Sequence, residues 1–458
     1  MKSKKKFKKI SKELNDLIPG GCHTYSRGFD QFSNNYPEIL LKGKGAYVFD
    51  QNRKKYLDYG MGLRSITLGY NHEISTRAAI KNIKLGNNLT LASLTELSAA
   101  REISRTVKSA EMVKFAKNGS NVTTAAIKIA RAYTNKKIIC IPKEHPFFSF
   151  DDWFIETTPM KRGILDSNPN IKVFHYNDLE SLKKIFKKYK NKIAAVMMEP
   201  STTINPCLSS CNPKFHSSKL MCRNCPNNKK NFLHQVNKIC KKNNCLFILD
   251  EMITGFRWHL KGAQYFYNID PDLSTFGKAC ANGFSVSILS GKKKFMNVGS
   301  IVKKKQERTF LLSSTHGGEM SSLGALISTI KFYKNKKVCT HLWDYGEKLK
   351  ENFISQIKKF SLEQNFEIVG TSILFNYVTK INGKISYPLR TLFMQEMCKK
   401  KVLMPWISYS YSHKDKELKY TIKAINNALK ICKKAVDEKN IRKYLVGSSS
   451  KPVFRKYN

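Results

Sequence analysis

Between residues 75 and 330, helical periodicity alternates with short apolar runs, and this alternation restricts the fold more than any other feature of the sequence. The clearest apolar segments are residues 137–141, 193–198 and 246–249. Each has the length of a strand, and none alternates polar with apolar side chains as a half-buried strand does. Strands that are apolar on both faces and separated by helices are typical of a parallel sheet covered on both sides.

The regions that flank this alternation indicate a second, smaller domain. Residues 46–49 and 55–59 alternate around a short polar turn, which is typical of a β-hairpin. After a long helical stretch that follows Gly324, residues 366–370 and 372–378 have the composition of strands. We therefore predict an N-terminal segment over 1–70 that packs with the small domain, a large cofactor-binding domain over 71–325 with a cysteine-rich insertion at 205–228, and a C-terminal small α+β domain over 326–458.

The chain is strongly basic, with 81 Lys and Arg against 34 Asp and Glu and a formal net charge of +47. Such a charge is compatible with a polyanionic partner such as nucleic acid. The lysines are spread through nearly every segment, and no known nucleic-acid motif accompanies them. This distribution favours solvated faces over a dedicated nucleic-acid groove.

The targeting signals of secreted and membrane proteins are missing from the pattern of apolar residues. The basic start is not followed by an apolar stretch of signal-peptide length, and no run reaches the roughly 20 apolar residues of a membrane span. We therefore expect a cytoplasmic protein with no membrane partner. Most of the 12 cysteines are isolated and are expected to be reduced thiols.

The first candidate for chemistry is Asp250, which follows the apolar run 246–249 and precedes Glu251. Open α/β sheets bind ligands at the carboxyl ends of their parallel strands, so we expect Asp250 to lie beside a crevice. A carboxylate there can bind a metal ion, act as a base or pair with a cationic ring, and this residue alone does not choose among these roles.

The second candidate is Lys278, which lies among small and apolar residues in the segment 274–279. Such surroundings lower the pKa of a lysine and favour imine chemistry. The structural alternative is a solvated lysine, which is the expectation for most lysines of this chain.

The third candidate is the turn 118–121, which precedes a helical run over residues 123–133. Gly119, the hydroxyl of Ser120 and the free N–H groups of a helix N-terminus can together hold a phosphate group, and the helix dipole assists them. The alternative is an ordinary capping turn without a ligand. The combination with Asp250 and Lys278 favours the phosphate.

Four segments together resemble the class III aminotransferases, and most closely the branch of glutamate-1-semialdehyde 2,1-aminomutase-like proteins. These segments are 17–21, 250–257, 271–273 and 277–279, and they follow one another in the order of that family. The resemblance covers almost the whole chain. It implies an enzyme with the α/β fold type I of transferases that depend on pyridoxal 5'-phosphate (PLP), with a large domain around a mainly parallel seven-stranded sheet flanked by helices and a smaller α+β domain.

The resemblance also implies roles for individual residues. Lys278 would carry PLP as a Schiff base and move a proton between the substrate Cα and C4' of the cofactor. Asp250 would pair with the pyridinium nitrogen, and Gly119 and Ser120 would hold the phosphate. Thr315 matches the family threonine that reaches the phosphate of the neighbouring subunit, which implies a homodimer with shared active sites.

Two further matches concern the cofactor ring and the substrate. The aromatic side chain that covers the ring in this family corresponds best to Phe147, with Phe148 and His145 as alternative positions, and both phenylalanines could equally be core residues. Arg27 matches the arginine with which the aminomutase binds the substrate carboxylate. A planar guanidinium suits that task.

Three departures from the aminomutase pattern bear on the substrate. The acidic residue expected after Ser120 is Asn121, a tryptophan expected near Leu63 is missing, and residues 405–413 lack the glutamate-containing insert of the aminomutase. We therefore predict an aminotransferase that acts on a small amino donor and an oxo or aldehyde acceptor. An intramolecular aminomutase is the alternative within the family, and a non-catalytic relative that binds an anionic partner is the alternative of another class.

The insertion contains four closely spaced cysteines in a segment rich in Asn, Pro, Ser and Lys. Four thiolates in a loop without an apolar core indicate a structural tetrahedral zinc site. An iron–sulfur cluster and four ordinary thiols are the alternatives, with His216 as a possible substitute ligand. The four proposed metal ligands are Cys207, Cys211, Cys222 and Cys225.

Overall fold

The computed structural model describes residues 2–145, 147–165, 170–201, 203–206, 231–303, 305 and 307–457, with side chains from residue 10 onwards. Its contacts divide the chain into two compact units. The large unit consists of His72–Trp343, and the split unit combines Met1–Asn71 with Asp344–Asn458. The predicted domain assignment, with boundaries at 70 and 325, stays a prediction.

The strands of the two units are named in chain order. They are β1 (Leu40–Lys44), β2 (Tyr47–Asp50), β3 (Lys55–Asp58), β4 (Met112–Ala116), β5 (Ile138–Pro142), β6 (Ile171–Phe174), β7 (Ile193–Met198), β8 (Leu246–Glu251), β9 (Leu273–Phe276), β10 (Ser287–Gly291), β11 (Phe366–Val369), β12 (Asn376–Ile381), β13 (Lys384–Ile385) and β14 (Val402–Leu403).

The large unit is built on a seven-stranded sheet with the order β4-β10-β9-β8-β7-β5-β6. The five strands from β6 to β9 run parallel, and β10 pairs antiparallel with both β9 and β4. Every residue of β5, β7, β8 and β9 is buried, which explains the apolar composition of β5, of β7 and of the first four residues of β8. The predicted mainly parallel seven-stranded sheet is confirmed.

Helices lie between the strands of this sheet along the chain, and one of them contributes to the candidate site. The helix Gly119–Thr134 follows β4 and packs its apolar residues into the core of the large unit. Asn118 caps this helix, since its side-chain oxygen accepts a hydrogen bond of 3.2 Å from the N–H of Asn121. The other helices of the large unit are Glu73–Ile83, Leu94–Thr106, Asp152–Ile155, Leu179–Lys188, Phe232–Lys242, Ala263–Phe266, Lys293–Met296 and Met320–Lys336.

The split unit contains a four-stranded sheet with the order β1-β2-β3-β14 and a three-stranded sheet with the order β11-β12-β13. Its helices are Lys2–Leu17, Tyr387–Lys399 and Asp415–Asp437, and the helix Val338–Lys359 begins in the large unit and ends in the split unit. The predicted hairpin is present as β2 and β3. Its turn is held by Asp50, whose carboxylate accepts from the N–H groups of Asn52 and Lys54.

One predicted strand begins later than expected. Residues 372–378 were expected to form a strand, and β12 begins at Asn376. The preceding residues form a turn, in which the N–H of Leu374 donates to the carbonyl of Thr371 over 2.9 Å. Apolar composition alone does not reveal such a turn.

Among the described residues, no helix has both the length and the apolar character needed to cross a membrane.

Candidate active site

Asp250 lies at the carboxyl end of β8, in the middle of the sheet, and only 2% of its surface is exposed. Its Oδ1 accepts hydrogen bonds from Thr275 Oγ1 over 2.8 Å and from the N–H of Met252 over 2.9 Å. Burial raises the pKa of the Asp250 carboxyl, whereas these hydrogen bonds and the charge of Lys278 lower it. The site therefore contains a buried carboxylate in the position that the sequence predicted.

Lys278 follows β9, the neighbour of β8, and begins a short 3-10 helix. Because Thr275 pairs with Asp250 across the two strands, Lys278 leaves the sheet three residues beyond this pair. The side chain is half-buried, and its charge acts on Asp250. The next residues, Ala279 and Cys280, are fully buried. The structure thus brings the predicted lysine and the predicted carboxylate together.

Gly119 and Ser120 lie at the N-terminus of the helix Gly119–Thr134. Ser120 is 3% exposed, and its Oγ accepts a hydrogen bond of 3.1 Å from the N–H of Phe150. A Cβ at Gly119 would lie 3.1 Å from Met252 Cε, and a Cβ at Gly277 would collide with Met252 Sδ. The helix start and the lysine segment therefore pack on the same methionine, two residues after Asp250.

The three candidates for the aromatic cover differ in their surroundings. Phe148 is 2% exposed and packs in the core against Phe154, so its surroundings are those of a core residue. His145 is also buried, its Nδ1 accepts from the N–H of Glu199 over 3.0 Å, and burial lowers its pKa to about 3. Phe147 is 44% exposed, which keeps it available to a ligand. Its assignment as the ring cover stays a prediction.

Two of the predicted residues are exposed. Thr315 lies in an exposed segment of the large unit, and Arg27 ends an exposed 3-10 turn of the split unit. Near Arg27 is Tyr70, whose pKa is raised by burial and by Asp58 and lowered by the charge of Arg27. The roles of Thr315 and Arg27 stay predictions.

The predicted metal ligands Cys207, Cys211, Cys222 and Cys225, together with His216, lie outside the described residues. In the described part of the chain, no group of three or more His, Cys, Asp or Glu side chains is arranged to hold a metal ion.

Sequence reasoning did not identify Thr275 and Met252 as site residues. Thr275 binds Asp250, and Met252 contacts the two glycines. Thr275 lies three residues before Lys278, on the strand next to that of Asp250. This position identifies Thr275 as a site residue only once the pairing of β8 with β9 is known. The contacts of Met252 depend on how the segments around Gly119, Met252 and Gly277 pack together, which the sequence pattern does not predict.

Known proteins share both the sequence pattern and this fold. The family described as aminotransferase class-III matches residues 30–205 and 226–387. A glutamate-1-semialdehyde 2,1-aminomutase of Wigglesworthia glossinidia brevipalpis is 29% identical over 93% of this chain and 98% of its own length. A 3-aminobutyryl-CoA aminotransferase of Cloacimonas acidaminovorans is also 29% identical, over 93% of this chain and 97% of its own.

Solved structures support the fold class. The FumI protein of Sphingopyxis sp. MTA144, in a PLP internal aldimine form, has a TM-score of 0.81 at 22% identity and covers 94% of this chain and 97% of its own. An omega-transaminase from Sphaerobacter thermophilus has a TM-score of 0.76 at 17% identity and covers 93% and 97%. The predicted family, the fold class and the prediction of an enzyme are confirmed. The chain belongs to the class III aminotransferase family.

Proposed function

We propose that this protein is a PLP-dependent aminotransferase that moves an amino group between a small amino donor and an oxo or aldehyde acceptor. The observation that carries the proposal is the pair of Asp250 and Lys278 on neighbouring strand ends, with Asp250 buried and within reach of the lysine charge. Family membership and the names of the relatives support the same chemistry.

The residues of the site fit PLP. A buried carboxylate suits a cationic ring nitrogen, and a helix N-terminus with the hydroxyl of Ser120 suits a phosphate. Gly119 and Gly277 carry no Cβ at the two points where one would press on Met252. When bound, PLP supplies an electron sink that stabilises negative charge on the substrate Cα.

Each residue would then have a distinct task. Asp250 would keep the ring nitrogen protonated, and Thr275 would hold the Asp250 carboxylate in place. The Lys278 amine would hold the cofactor and would take the proton from the substrate Cα and return it during amino transfer. Ser120 and the N–H groups at the helix start would bind the phosphate.

The substrate is bound by residues that only the resemblance identifies. Arg27 would bind a carboxylate as a planar fork of N–H donors, and Phe147 would cover one face of the ring. The alternative activity is the intramolecular aminomutase, which the names of several relatives favour. The absence of a glutamate-containing insert in residues 405–413 favours the aminotransferase.

We also propose a homodimer. The segment from residue 74 to residue 97 of the large unit exposes eight large apolar side chains, and large exposed apolar patches are rare on monomeric proteins. A second copy would cover it, and the exposed Thr315 would then reach the partner's phosphate site. The exposed residues are Ile74, Ile80, Ile83, Leu85, Leu89, Leu91, Leu94 and Leu97. Analytical ultracentrifugation tests this proposal, since a monomer at micromolar concentration would contradict it.

The zinc site of the cysteine-rich insertion remains a prediction from sequence. The family match is interrupted between residues 205 and 226, and this gap brackets the four cysteines. An insertion with its own thiolates is consistent with a separate structural metal site. Metal analysis of the purified protein tests it: one zinc per chain supports the prediction, whereas iron with sulfide or no metal contradicts it. The cytoplasmic location and the lack of a nucleic-acid partner likewise stay predictions.

The proposed function is tested by titrating the purified protein with PLP and then screening amino donors, beginning with L-glutamate and glutamate 1-semialdehyde. Transfer to a separate oxo acceptor supports the aminotransferase. Conversion of glutamate 1-semialdehyde without an external acceptor indicates the aminomutase. A protein that binds no PLP, or that binds it and transfers no amino group, contradicts both.

A further inference from the structure

The short turn that carries Lys278 has an unusual backbone conformation. Lys278 has a φ of 40°, in the left-handed region that a residue with a Cβ disfavours. It begins the 3-10 helix Lys278–Ala281, and Asn282, the residue that ends this helix, is also left-handed with a φ of 48°. Such a conformation persists only where its surroundings hold it. We refer to residues 277–282 as the lysine turn.

The side chain of Tyr333 contacts the lysine turn directly after Lys278. Tyr333 belongs to the helix Met320–Lys336 and is 2% exposed. Its hydroxyl donates a hydrogen bond of 2.6 Å to the carbonyl of Ala279, a residue that is fully buried. Because a buried carbonyl that lacks a donor is costly, this hydrogen bond favours the observed conformation of the turn.

A packing contact holds the lysine turn directly before Lys278. A Cβ at Gly277 would collide with Sδ of Met252, so the backbone at this point lies close against the methionine. The carbonyl of Gly277 accepts from the N–H of Cys280 over 3.1 Å, which closes the turn. Lys278 is therefore held by packing at the residue before it and by the Tyr333 hydrogen bond at the residue after it.

The helix that carries Tyr333 is itself fixed within the large unit. It packs along the helix Glu73–Ile83, and the buried hydroxyls of Thr329 and Ser75 lie 2.8 Å apart across this contact. Tyr333 follows Thr329 by four residues, about one helical turn. The tyrosine hydroxyl therefore extends to Ala279 from a helix that is held in place close to it.

We propose that Tyr333 is a positioning residue for Lys278, because its hydroxyl holds the lysine turn so that the amine keeps one orientation at the strand ends beside Asp250. This inference rests on the proposed function, since it takes Lys278 as the lysine that holds PLP. Tyr333 acts through the backbone of Ala279, whereas Thr275 acts on the carboxylate. The purely structural alternative is that the hydrogen bond only stabilises the fold.

The test compares Tyr333→Phe with two controls. Tyr333→Phe removes the hydroxyl and keeps the ring that packs in the core. Tyr377→Phe removes the same kind of hydrogen bond elsewhere, because Tyr377 is 1% exposed and donates to the carbonyl of Met404 over 2.9 Å in the split unit. Thr329→Val breaks the buried hydroxyl pair on the same helix and leaves the hydroxyl of Tyr333 in place.

The first readout is the rate at which PLP attaches to protein purified without it, followed by absorption after mixing. We expect this rate to fall about tenfold in Tyr333→Phe, because the amine is held less often in the orientation that attacks the cofactor. Both controls should stay within about twofold of wild type. This readout does not depend on turnover of the loaded enzyme.

The second readout separates kcat from KM for the amino donor that the screen identifies. We expect kcat of Tyr333→Phe to fall about tenfold and KM to stay within about twofold, because proton transfer is affected and substrate binding is not. Tm should fall similarly in Tyr333→Phe and Tyr377→Phe, since each loses one donor to a buried carbonyl. If Tyr333→Phe does not fold, Tyr333→Met also lacks the hydroxyl and replaces it, because methionine adapts its shape to the core.

Wild-type rates of attachment and turnover in Tyr333→Phe would overturn the inference. Equal losses in Tyr377→Phe or Thr329→Val would also overturn it, because they would indicate a general loss of stability. Failure of the proposed function is a separate result, in which wild-type protein itself binds no PLP or transfers no amino group. If wild-type protein is active and the three variants behave alike, only the inference fails.

Discussion

Two buried aspartates, one in each unit, have the same local hydrogen-bond pattern but different charged and polar groups around them. Asp250 of the large unit and Asp58 of the split unit each lie at the end of a strand, with 2% and 6% of their surface exposed. Each accepts from the N–H two residues further on and from one hydroxyl, which belongs to Thr275 and to Tyr70 respectively. Burial raises the pKa of both carboxyls.

The difference lies in what else surrounds each carboxylate. Asp250 is within reach of the positive charge of Lys278, whereas Asp58 accepts a second backbone N–H, from Met61. A carboxylate near a cationic group is suited to stabilising positive charge on a ligand. A carboxylate that accepts hydrogen bonds from several N–H groups is suited to fixing the conformation of the backbone. Burial and hydrogen bonding alone therefore do not distinguish the proposed cofactor-binding aspartate from one that holds backbone N–H groups.

The largest expected effect is on the large unit. Lys278→Ala removes the amine that we propose holds the cofactor and carries the proton, so we expect a loss of about 10³-fold or more in kcat. Steady-state amino transfer from L-glutamate checks this. Lys292→Ala is the control, because Lys292 is paired with Asp270 and Asp272 and has no assigned role in the site. Turnover by Lys278→Ala at the level of this control would contradict the assignment.

The two aspartates can be compared directly by the same substitution. Asp250→Asn should lower kcat by about 10²–10³-fold, because a neutral amide no longer favours a protonated ring nitrogen. Asp58→Asn should instead leave kcat within about twofold of wild type, because the amide changes only the hydrogen bonds that hold the N–H groups of Gly60 and Met61. Both are measured by full kinetic analysis with L-glutamate. Equal effects of the two variants on kcat would remove the distinction between the two carboxylates.

The hydroxyl that supports Asp250 should have a smaller effect. Thr275→Val removes the donor to Asp250 Oδ1, and we expect kcat/KM to fall by about tenfold, whereas Thr275→Ser should retain most activity. The absorption of bound PLP as a function of pH should shift in the Val variant and not in the Ser variant. Identical spectra and rates for both variants would mean that Thr275 has only a packing role.

The last effect is on stability, with no change expected in the proposed chemistry, and it concerns Glu251, the residue after Asp250. Burial raises the pKa of Glu251 from 4.5 to about 7, against the hydrogen bonds from Gln264 and Ala263 that lower it. The folded state therefore holds a proton that the unfolded state releases. Its stabilising contribution is present below pH 4.5 and is lost as the pH rises through about 7. The loss is at most about 3 kcal/mol.

Calorimetry of the protein without PLP between pH 5 and pH 8 checks this. Tm should fall across the range in wild-type protein, and Glu251→Gln should reduce the slope. A wild-type Tm that rises from pH 5 to pH 8 while the variant stays flat would contradict the sign.

Much of the large unit could be predicted from sequence, because its signals are local. The apolar runs that became β5, β7 and β8 are strands buried on both faces, and Asp250 was identified from its place after one of them. Lys278 was identified from its small and apolar neighbours. The split unit was harder to predict. In that unit the Asp58 carboxylate accepts a hydrogen bond from Tyr70, twelve residues further along the chain, and Met61, Leu63 and Arg64 have positive φ angles that their side chains do not favour. Propensity therefore indicates the opposite of what tertiary contacts impose. The late start of β12 has the same origin, since a turn can have the composition of a strand.

The central claim is that Lys278 carries the cofactor beside Asp250. The most direct measurement is an absorption spectrum of the PLP-loaded protein before and after borohydride, followed by peptide mapping of the reduced product. We predict that the visible band disappears and that a stable PLP adduct is found on the peptide that contains Lys278. An adduct on another lysine, or no adduct after loading with PLP, would contradict the claim.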